Sequence, residues 1–298
     1  MFKQENVITK KWADYELLDS GNGRKLERFG KVITDRPDTQ AIWSPLQPEL
    51  WTTATAKFAL GGSKDDKWSL SPDLMVNWEV KFHDLTFNLR FTSFKHVGLF
   101  PEHASQWEWI VEKVADMKEP SVLNLFGYTG AATLAAVKAG AKVTHVDSSK
   151  QSVEWASDNA KSSGIEDGIR WIVDDAAAFV KREVKRGTKY EGIVLDPPAF
   201  GRGSKGQVWH IEDDLMPLLR DLKEILSDKP GSFILLSGYA AGFAPQSFAQ
   251  AVESVFSPRT DLGEKGEIEI NGTFGHLNIE ETGSNRVLPT GIYVRFEA

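Results

Sequence analysis

Acidic residues stand directly after several short apolar segments of the sequence, and their spacing suits the binding of a nucleoside. These acids are Asp147, the pair Asp174 and Asp175, and Asp196. If the apolar segments are parallel strands, the acids meet at the carboxyl edge of one sheet, where ligands bind in open α/β sheets. Asp147 follows Gly127 by 20 residues. A carboxylate at that distance can accept hydrogen bonds from both hydroxyls of a ribose.

A turn with two glycines precedes these acids. Residues 122–130 read Val-Leu-Asn-Leu-Phe-Gly-Tyr-Thr-Gly, and the helix-forming segment from Ala131 to Lys138 follows. The pattern predicts a buried strand, a tight turn and a helix whose first amides point back at the turn, a geometry that holds nucleotides. The dinucleotide fingerprint G-x-G-x-x-G is incomplete, because Leu125 stands where its first glycine belongs. Taken alone, the turn fits an ordinary strand–helix connection equally well.

Two motifs and their flanks carry a family resemblance. The segments Asn-Leu-Phe-Gly-Tyr-Thr-Gly at 124–130 and Asp-Pro-Pro-Ala-Phe at 196–200 resemble those of class I S-adenosylmethionine (SAM)-dependent methyltransferases. These segments are similar to those of the methyltransferases that modify bacterial 23S ribosomal RNA. That group includes enzymes acting on carbon 5 of cytosine and enzymes acting on nitrogen 7 of guanine. The likeness extends upstream to residues 94–101 and 23–30. It implies a Rossmann-like α/β domain at residues 95–298, with a mainly parallel seven-stranded sheet and one antiparallel edge strand.

The first part of the chain, residues 1–94, predicts a smaller β-rich domain. Short segments at Tyr15 to Leu18, Lys31 to Thr34 and Ala41 to Trp43 are separated by glycines and prolines, which is typical of strands and turns. Alternating apolar residues on both sides of His83-Asp84 predict a hairpin with one buried face. Four basic residues are either phosphate contacts for RNA or solvated side chains of a structural cap: Arg24, Lys25, Arg28 and Lys31.

The resemblance implies SAM as the cofactor. The glycine turn would surround its methionine and ribose, Asp147 would hold the ribose hydroxyls, and Asp174 with its neighbours would read the adenine amine. The loop around Phe100 and Pro101 would close over the cofactor. The full set of implied cofactor residues is Phe100, Pro101, Asn124, Phe126, Gly127, Tyr128, Thr129, Gly130, Asp147, Ser148, Asp174, Asp175 and Ala176. Each acid also has a structural alternative, because aspartate is favoured where helices begin.

The segment from Asp196 to Phe200 is the candidate for handling the methyl acceptor. The Asp196 carboxylate and the Pro197 carbonyl can accept hydrogen bonds from a base amine, and Phe200 can stack on the base. Amine-directed enzymes carry the aromatic residue directly after Pro-Pro, whereas Ala199 intervenes here. Members acting on carbon 5 of cytosine place a cysteine nucleophile where residues 235–239 read Leu-Leu-Ser-Gly-Tyr. Without a thiolate, the acceptor is predicted to be a nitrogen of guanine or adenine.

The net charge of the chain is compatible with more than one kind of binding partner. The net charge of −7 argues against coating a nucleic-acid backbone, although a local basic patch suffices for RNA. Arg202 and Lys205, in the glycine-rich segment 201–206, are candidate substrate contacts at the active edge. The acidic balance also suits a methyltransferase for small molecules. A non-catalytic SAM- or RNA-binding module is a third interpretation, and the oligomeric state stays open.

Composition excludes several kinds of chemistry. The chain has no cysteine, which excludes disulfides, thiolate metal sites and cysteine nucleophiles. Its six histidines are scattered, so we expect no metal site. No apolar run approaches the roughly 20 residues of a membrane span, and residues 1–11 lack the apolar core of a signal peptide. A cytoplasmic protein is therefore expected.

Overall fold

The central element is a nine-stranded, mostly parallel sheet with helices on its faces. The computed structural model describes residues 2–60, 67–203, 206–239, 242–257 and 271–298. The large sheet has the strand order β1-β17-β18-β16-β13-β10-β11-β12, and β2 also pairs with β17. A five-stranded sheet in the order β3-β4-β5-β6-β7 and two separate hairpins, β8–β9 and β14–β15, accompany it.

Strands dominate the first part of the chain, and helices alternate with strands in the rest. The described residues of the first part of the chain contain nine strands: β1 (Phe2–Gln4), β2 (Val7–Thr9), β3 (Tyr15–Gly21), β4 (Arg24–Phe29), β5 (Val32–Pro37), β6 (Ala56–Ala59), β7 (Lys67–Leu70), β8 (Asn77–Phe82) and β9 (Leu85–Arg90). The rest alternates helices with strands: α1 (Ala104–Ala115), β10 (Ser121–Leu125), α2 (Ala131–Lys138), β11 (Lys142–Asp147), α3 (Lys150–Ser162), β12 (Ile169–Val173), α4 (Ala176–Arg186), β13 (Gly192–Leu195), β14 (Phe200–Arg202), β15 (Val208–His210), α5 (Ile211–Ile225), β16 (Phe233–Gly238), α6 (Pro245–Phe256), β17 (Asn271–Glu280) and β18 (Val287–Glu297). Short 3-10 helices span Pro48–Thr53 and Pro101–His103.

Strand β10 lies where the order of the sheet reverses. It pairs in parallel with β11 on one side and with β13 on the other. The chain therefore builds outwards through β11 and β12, and then returns to build outwards through β13 and β16. In open α/β sheets such a reversal leaves a crevice at the carboxyl ends of the strands, and ligands bind there.

The predicted fold class is confirmed, with two differences in detail. Strand β18 runs antiparallel to both β16 and β17 and lies between them, so the antiparallel strand is not at the edge. Strands β17 and β18 pair as an antiparallel ribbon, and β18 is the member that pairs with β16. Strands β1 and β2 then pair in parallel with β17, which raises the strand count from the predicted seven to nine.

The β-rich part packs its apolar face onto the helices of the large sheet. One hydrophobic cluster joins aromatic residues such as Tyr15, Phe29 and Phe87 to Trp107 of α1 and Leu134 of α2. The division into residues 1–94 and 95–298 stays a prediction, and the pairing of β1 and β2 with β17 is a contact across it.

One local prediction for the β-rich part was wrong, and one strand was not predicted. Ala41 to Trp43 form no strand; their carbonyls accept hydrogen bonds from Gly23 and Asn22 and brace the turn after β3. The basic run after that turn is strand β4, which is buried along most of its length. The charged residues of β4 obscure the alternation of apolar and polar residues by which a strand is recognised in a sequence.

The basic residues of β4 are paired within the protein, and their use as phosphate contacts stays a prediction. Arg24 pairs with Asp35, Arg28 with Glu16, and Lys25 with Glu27 and Asp38. Burial opposes the charge of Glu27, but Arg36 and Lys25 outweigh it and hold the pKa of this carboxyl below its usual value. Lys31, by contrast, is exposed.

No helix among the residues described is long and apolar enough to span a membrane.

Candidate functional site

The turn between β10 and α2 has an unusual backbone. Phe126, Tyr128 and Gly130 have φ angles of 56°, 46° and 89°. Two of these three residues carry side chains, and side chains rarely adopt this region except where the surrounding structure imposes it. The Gly127 amide donates to the Val146 carbonyl at 3.1 Å, and the Gly130 amide donates to the Gly127 carbonyl at 2.9 Å. These bonds hold the turn closed against the end of β11.

Gly127 lies against a fixed imidazole. A Cβ atom at this position would come within 2.4 Å of His145 Cε1. The His145 ring is fully buried and its Nδ1 lies 2.9 Å from Thr133 Oγ1, which also accepts from Asn124 Nδ2 at 2.8 Å. Burial lowers the pKa of His145 to about 3, so the ring is neutral at physiological pH. Only glycine fits beside this ring.

Substitution of Gly127 by alanine is expected to lower the free energy of unfolding by about 1–3 kcal/mol, the usual cost of overpacking. Denaturant unfolding measures the change. Gly201→Ala is the matched control, because its added Cβ would meet its nearest atom at an ordinary 3.4 Å. Equal stability of the two variants would contradict the steric reading of the turn.

Asp147 joins the turn to the end of β11. Its Oδ2 accepts from the Tyr128 amide at 2.9 Å, and its Oδ1 accepts from the Ser149 amide at 2.8 Å. Burial raises the pKa of Asp147, while these two amides oppose that shift. A carboxylate has about four acceptor sites, so Asp147 can still accept two hydroxyl donors.

Two adjoining cavities open beside this turn. The larger has a volume of about 430 Å³, which is within the roughly 300–1,000 Å³ of ligand pockets. The smaller, of about 70 Å³, reaches below the turn towards α1. Phe100, His103, Phe126, Tyr128 and Asp196 line both. Together they form one continuous crevice at the carboxyl edge of the sheet.

Most of the predicted site residues meet at this crevice. Those that line one or both cavities are Phe100, Asn124, Phe126, Gly127, Tyr128, Thr129, Gly130, Asp147, Ser148, Asp196 and Pro197. They come from β10, β11, β13 and the segments that follow them, together with the loop before α1. The sheet topology therefore brings together residues that are far apart in sequence.

The remaining cofactor candidates lie outside the lining of both cavities and have structural partners. Asp174 pairs with Arg182, and Asp175 caps α4 by accepting from the Ala178 amide at 2.8 Å. Ala176 and Pro101 are buried first residues of α4 and of a 3-10 helix. These contacts match the structural alternative for the acids, and a role in adenine recognition stays a prediction.

The segment after Pro198 begins with a short strand. Gly201 and Arg202 belong to β14, which pairs with β15 as a hairpin. Phe200 is 51% exposed and its ring packs edge-on against His210. The Arg202 guanidinium lies 5.8 Å from the Phe200 ring. Lys205 lies outside the described residues.

Sequence reasoning missed most of one wall of the larger cavity. Arg36 and Asp38 of the β-rich part line it together with Lys25, which the sequence had singled out, and with Asp196 and Pro197. The loop before α1 adds a further group: Lys95, His96, Glu102 and His103. The run at 94–101 was singled out as part of the resemblance, but nothing in its pattern indicates which side chains face the crevice.

Comparison with known proteins agrees with this geometry. The family model for S-adenosylmethionine-dependent methyltransferases matches residues 63–250. The chain belongs to this family. A crystal structure of the SAM-dependent methyltransferase from Agrobacterium tumefaciens is 37% identical, covers 100% of this chain and 97% of its own, and superposes with a TM-score of 0.88.

Curated relatives of the methyltransferase are longer proteins. Ribosomal RNA large subunit methyltransferase K/L from Alteromonas mediterranea is 28% identical over 88% of this chain and 36% of its own length. The protein of the same name from Shewanella frigidimarina is 32% identical over 74% of this chain and 31% of its own. The chain thus spans about a third of the length of these relatives.

The residues at the crevice fit SAM as the cofactor of this methyltransferase. Gly127 and Gly130 contribute only backbone to the lining of the smaller cavity. Asp147 retains acceptor capacity beside the larger cavity. Aromatic rings of Phe100 and Tyr128, with centroids 5.4 Å apart, supply apolar surface between the two cavities.

Proposed function

We propose that this methyltransferase modifies a nitrogen of a purine base in ribosomal RNA, without a covalent enzyme–base intermediate. The observation that carries the proposal is the position of Asp196. Its side chain is 41% exposed at the end of β13 and lines both cavities beside the cofactor turn. A carboxylate there can accept a hydrogen bond from a base and aim it at the methyl donor.

The absence of cysteine from the sequence argues against a carbon target. Attack on carbon 5 of cytosine needs a nucleophile that adds to the ring. The end of β16, where relatives that act on this carbon place that nucleophile, carries Ser237 and Gly238, and both line the crevice. A serine hydroxyl is a poor nucleophile at neutral pH, whereas a nitrogen lone pair needs no activation of this kind.

In this proposal, most of the rate enhancement comes from aligning the acceptor nitrogen with the methyl group. SAM provides an electrophilic methyl group when it is bound. The protein holds the acceptor in line with that group, and well-oriented reactants can gain about 7–11 kcal/mol from alignment alone. Burial raises the pKa of Asp196, and the neighbouring His103 partly offsets this. Pro197 and Pro198 restrict the backbone that carries it.

An RNA substrate is supported by the names of the relatives and by the exposed side chains near the crevice. Phe200 is half-exposed and available to stack on a base, and Arg202 lies next to it. Lys205 follows Arg202 by three residues in the sequence and is a further candidate contact. Residues 1–94 act in this proposal as an accessory domain that closes one wall of the substrate cavity, with residues 95–298 as the catalytic domain.

The net charge of −7 favours a second candidate, a small-molecule acceptor. The two differ in the dependence of binding on salt. Phosphate contacts give an affinity that falls steeply as salt rises, whereas a neutral small molecule gives little dependence.

Transfer of a radiolabelled methyl group from SAM tests the proposed substrate. The acceptor is ribosomal RNA from a strain that lacks the gene, and RNA from the parent strain is the control. We expect label in the large-subunit RNA of the deletion strain only, located by nuclease digestion and mass mapping. Label that appears only on small molecules of a cell extract would reject the RNA substrate.

A further inference from the structure

A histidine and the acceptor-handling aspartate face each other across the crevice. His103 Nε2 lies 3.5 Å from Asp196 Oδ2. The two residues come from different elements, because Asp196 follows β13 and His103 ends the 3-10 helix before α1. Both line the large and the small cavity. Contacts of this kind are often long without substrate and shorten in the reactive complex.

Other charged groups face the same crevice, and most are already engaged. On the β-rich wall, Lys25 pairs with Asp38, and both Lys25 and Arg36 pair with Glu27. These pairs fix the charges on that wall. Asp196, by contrast, is half-exposed and faces the imidazole of His103.

The loop before α1 and the end of β11 supply the remaining titratable neighbours. Lys95 donates to the Pro37 carbonyl at 3.3 Å, and Glu102 lies buried beside it in the cavity wall. Burial and then Arg36 lower the pKa of His96 to about 3, so this ring stays neutral. Asp147 is held by two backbone amides. His103 is the lining histidine whose Nε2 faces the Asp196 carboxylate.

We infer that His103 takes up, through Asp196, a proton that the methyl acceptor loses, and hence that the acceptor is a nitrogen bearing a hydrogen. The inference rests on the proposed function, since it assumes a nitrogen acceptor. It adds that the nitrogen is an amine or a ring N–H. A ring nitrogen with a free lone pair and no hydrogen would have no proton to give.

The proton and electron balance is simple. The nitrogen lone pair forms the new N–C bond, the S–C bond of the sulfonium breaks, and its electron pair remains on the sulfur. The N–H proton passes to the Asp196 carboxylate and from there to His103 Nε2. The imidazolium then releases the proton to solvent, to which the side chain is 18% exposed.

His103 explains how Asp196 returns to its carboxylate form after each turnover. A protonated Asp196 would no longer accept a hydrogen bond from the next N–H donor. An imidazole nitrogen can accept a proton and later release it, which returns Asp196 to its carboxylate form. A positioned acid–base group of this kind contributes about 10²- to 10⁴-fold to a rate.

Kinetics of His103→Asn test the inference on the ribosomal RNA described above. At neutral pH we expect kcat to fall by about 10²-fold and the acidic limb of the pH–rate profile to disappear, with the KM for SAM unchanged. His83→Asn is the matched control, because His83 also lies 3.5 Å from a carboxylate, that of Glu108, but is 70% exposed on the surface. Its profile should equal that of the unmodified protein.

A second readout needs no turnover. His103 opposes the upward shift of the Asp196 pKa, so carbon-13 NMR of labelled aspartate should show Asp196 titrating at higher pH in His103→Asn and at unchanged pH in His83→Asn. An unaltered Asp196 titration, an unaltered pH–rate profile, or label on a nitrogen without hydrogen would each overturn the inference. If no RNA accepts label at all, the proposed function fails, and the titration still tests the pair by itself.

Discussion

Replacing Asp147 with alanine is expected to lower the affinity of the methyltransferase for SAM by about 100-fold or more. Hydrogen bonds to a charged group are worth about 1.5–3 kcal/mol each, and about 1.4 kcal/mol is a factor of ten in affinity. Loss of two bonds to the ribose hydroxyls therefore gives at least this change. Titration calorimetry with SAM measures it.

The control for this variant is Asp158→Ala. Asp158 is an exposed aspartate on α3 that pairs with Lys161 at 3.0 Å, and its loss should leave the affinity within about two-fold, as expected for a surface pair worth about 0–1 kcal/mol. Because Asp147 also braces the Tyr128 and Ser149 amides, thermal unfolding of each variant should accompany the titration. A folded Asp147→Ala protein that binds SAM normally would remove Asp147 from the cofactor site.

Asp196→Asn is expected to separate chemistry from cofactor binding. The amide has the same shape but loses the negative charge, so it holds a donor from the acceptor less strongly. We expect kcat on the ribosomal RNA to fall by about 10²- to 10³-fold, the usual effect of removing one preorganised polar group from an active site. The affinity for SAM should stay within about two-fold, because Asp147 and the glycine turn are untouched.

Single-turnover measurements with saturating SAM give the rate of transfer for this variant. Asp158→Asn should transfer methyl groups at the rate of the unmodified protein, which excludes a general effect of a lost carboxylate. If Asp196→Asn transferred methyl groups as fast as this control, Asp196 would have no part in handling the acceptor.

The parts of this protein that the sequence predicts well are those with short-range patterns. Gly127 and Asp147 lie within one strand–turn–helix–strand unit, so their spacing already indicates that the turn and the carboxylate meet. The alternation of apolar segments with helices likewise predicts a parallel sheet. In the first case the interacting residues lie within about 20 residues of chain.

The parts that the sequence does not predict depend on contacts between distant segments. Lys25 and Arg36 become walls of the crevice only because the β-rich part packs beside the loop before α1. In the sequence alone, Lys25 fits an exposed patch that binds RNA. In the structure it pairs with Glu27 and Asp38. Asp175 is a related case, since an aspartate that caps a helix and one that binds a ligand look alike in sequence.

A crystal structure with S-adenosylhomocysteine bound tests the central claim most directly. The structure described here predicts that both ribose hydroxyls lie within hydrogen-bonding distance of the Asp147 carboxylate, beside the turn from Phe126 to Gly130, with the sulfur facing Asp196. Ribose hydroxyls held by a different side chain, or the compound bound away from this turn, would contradict it.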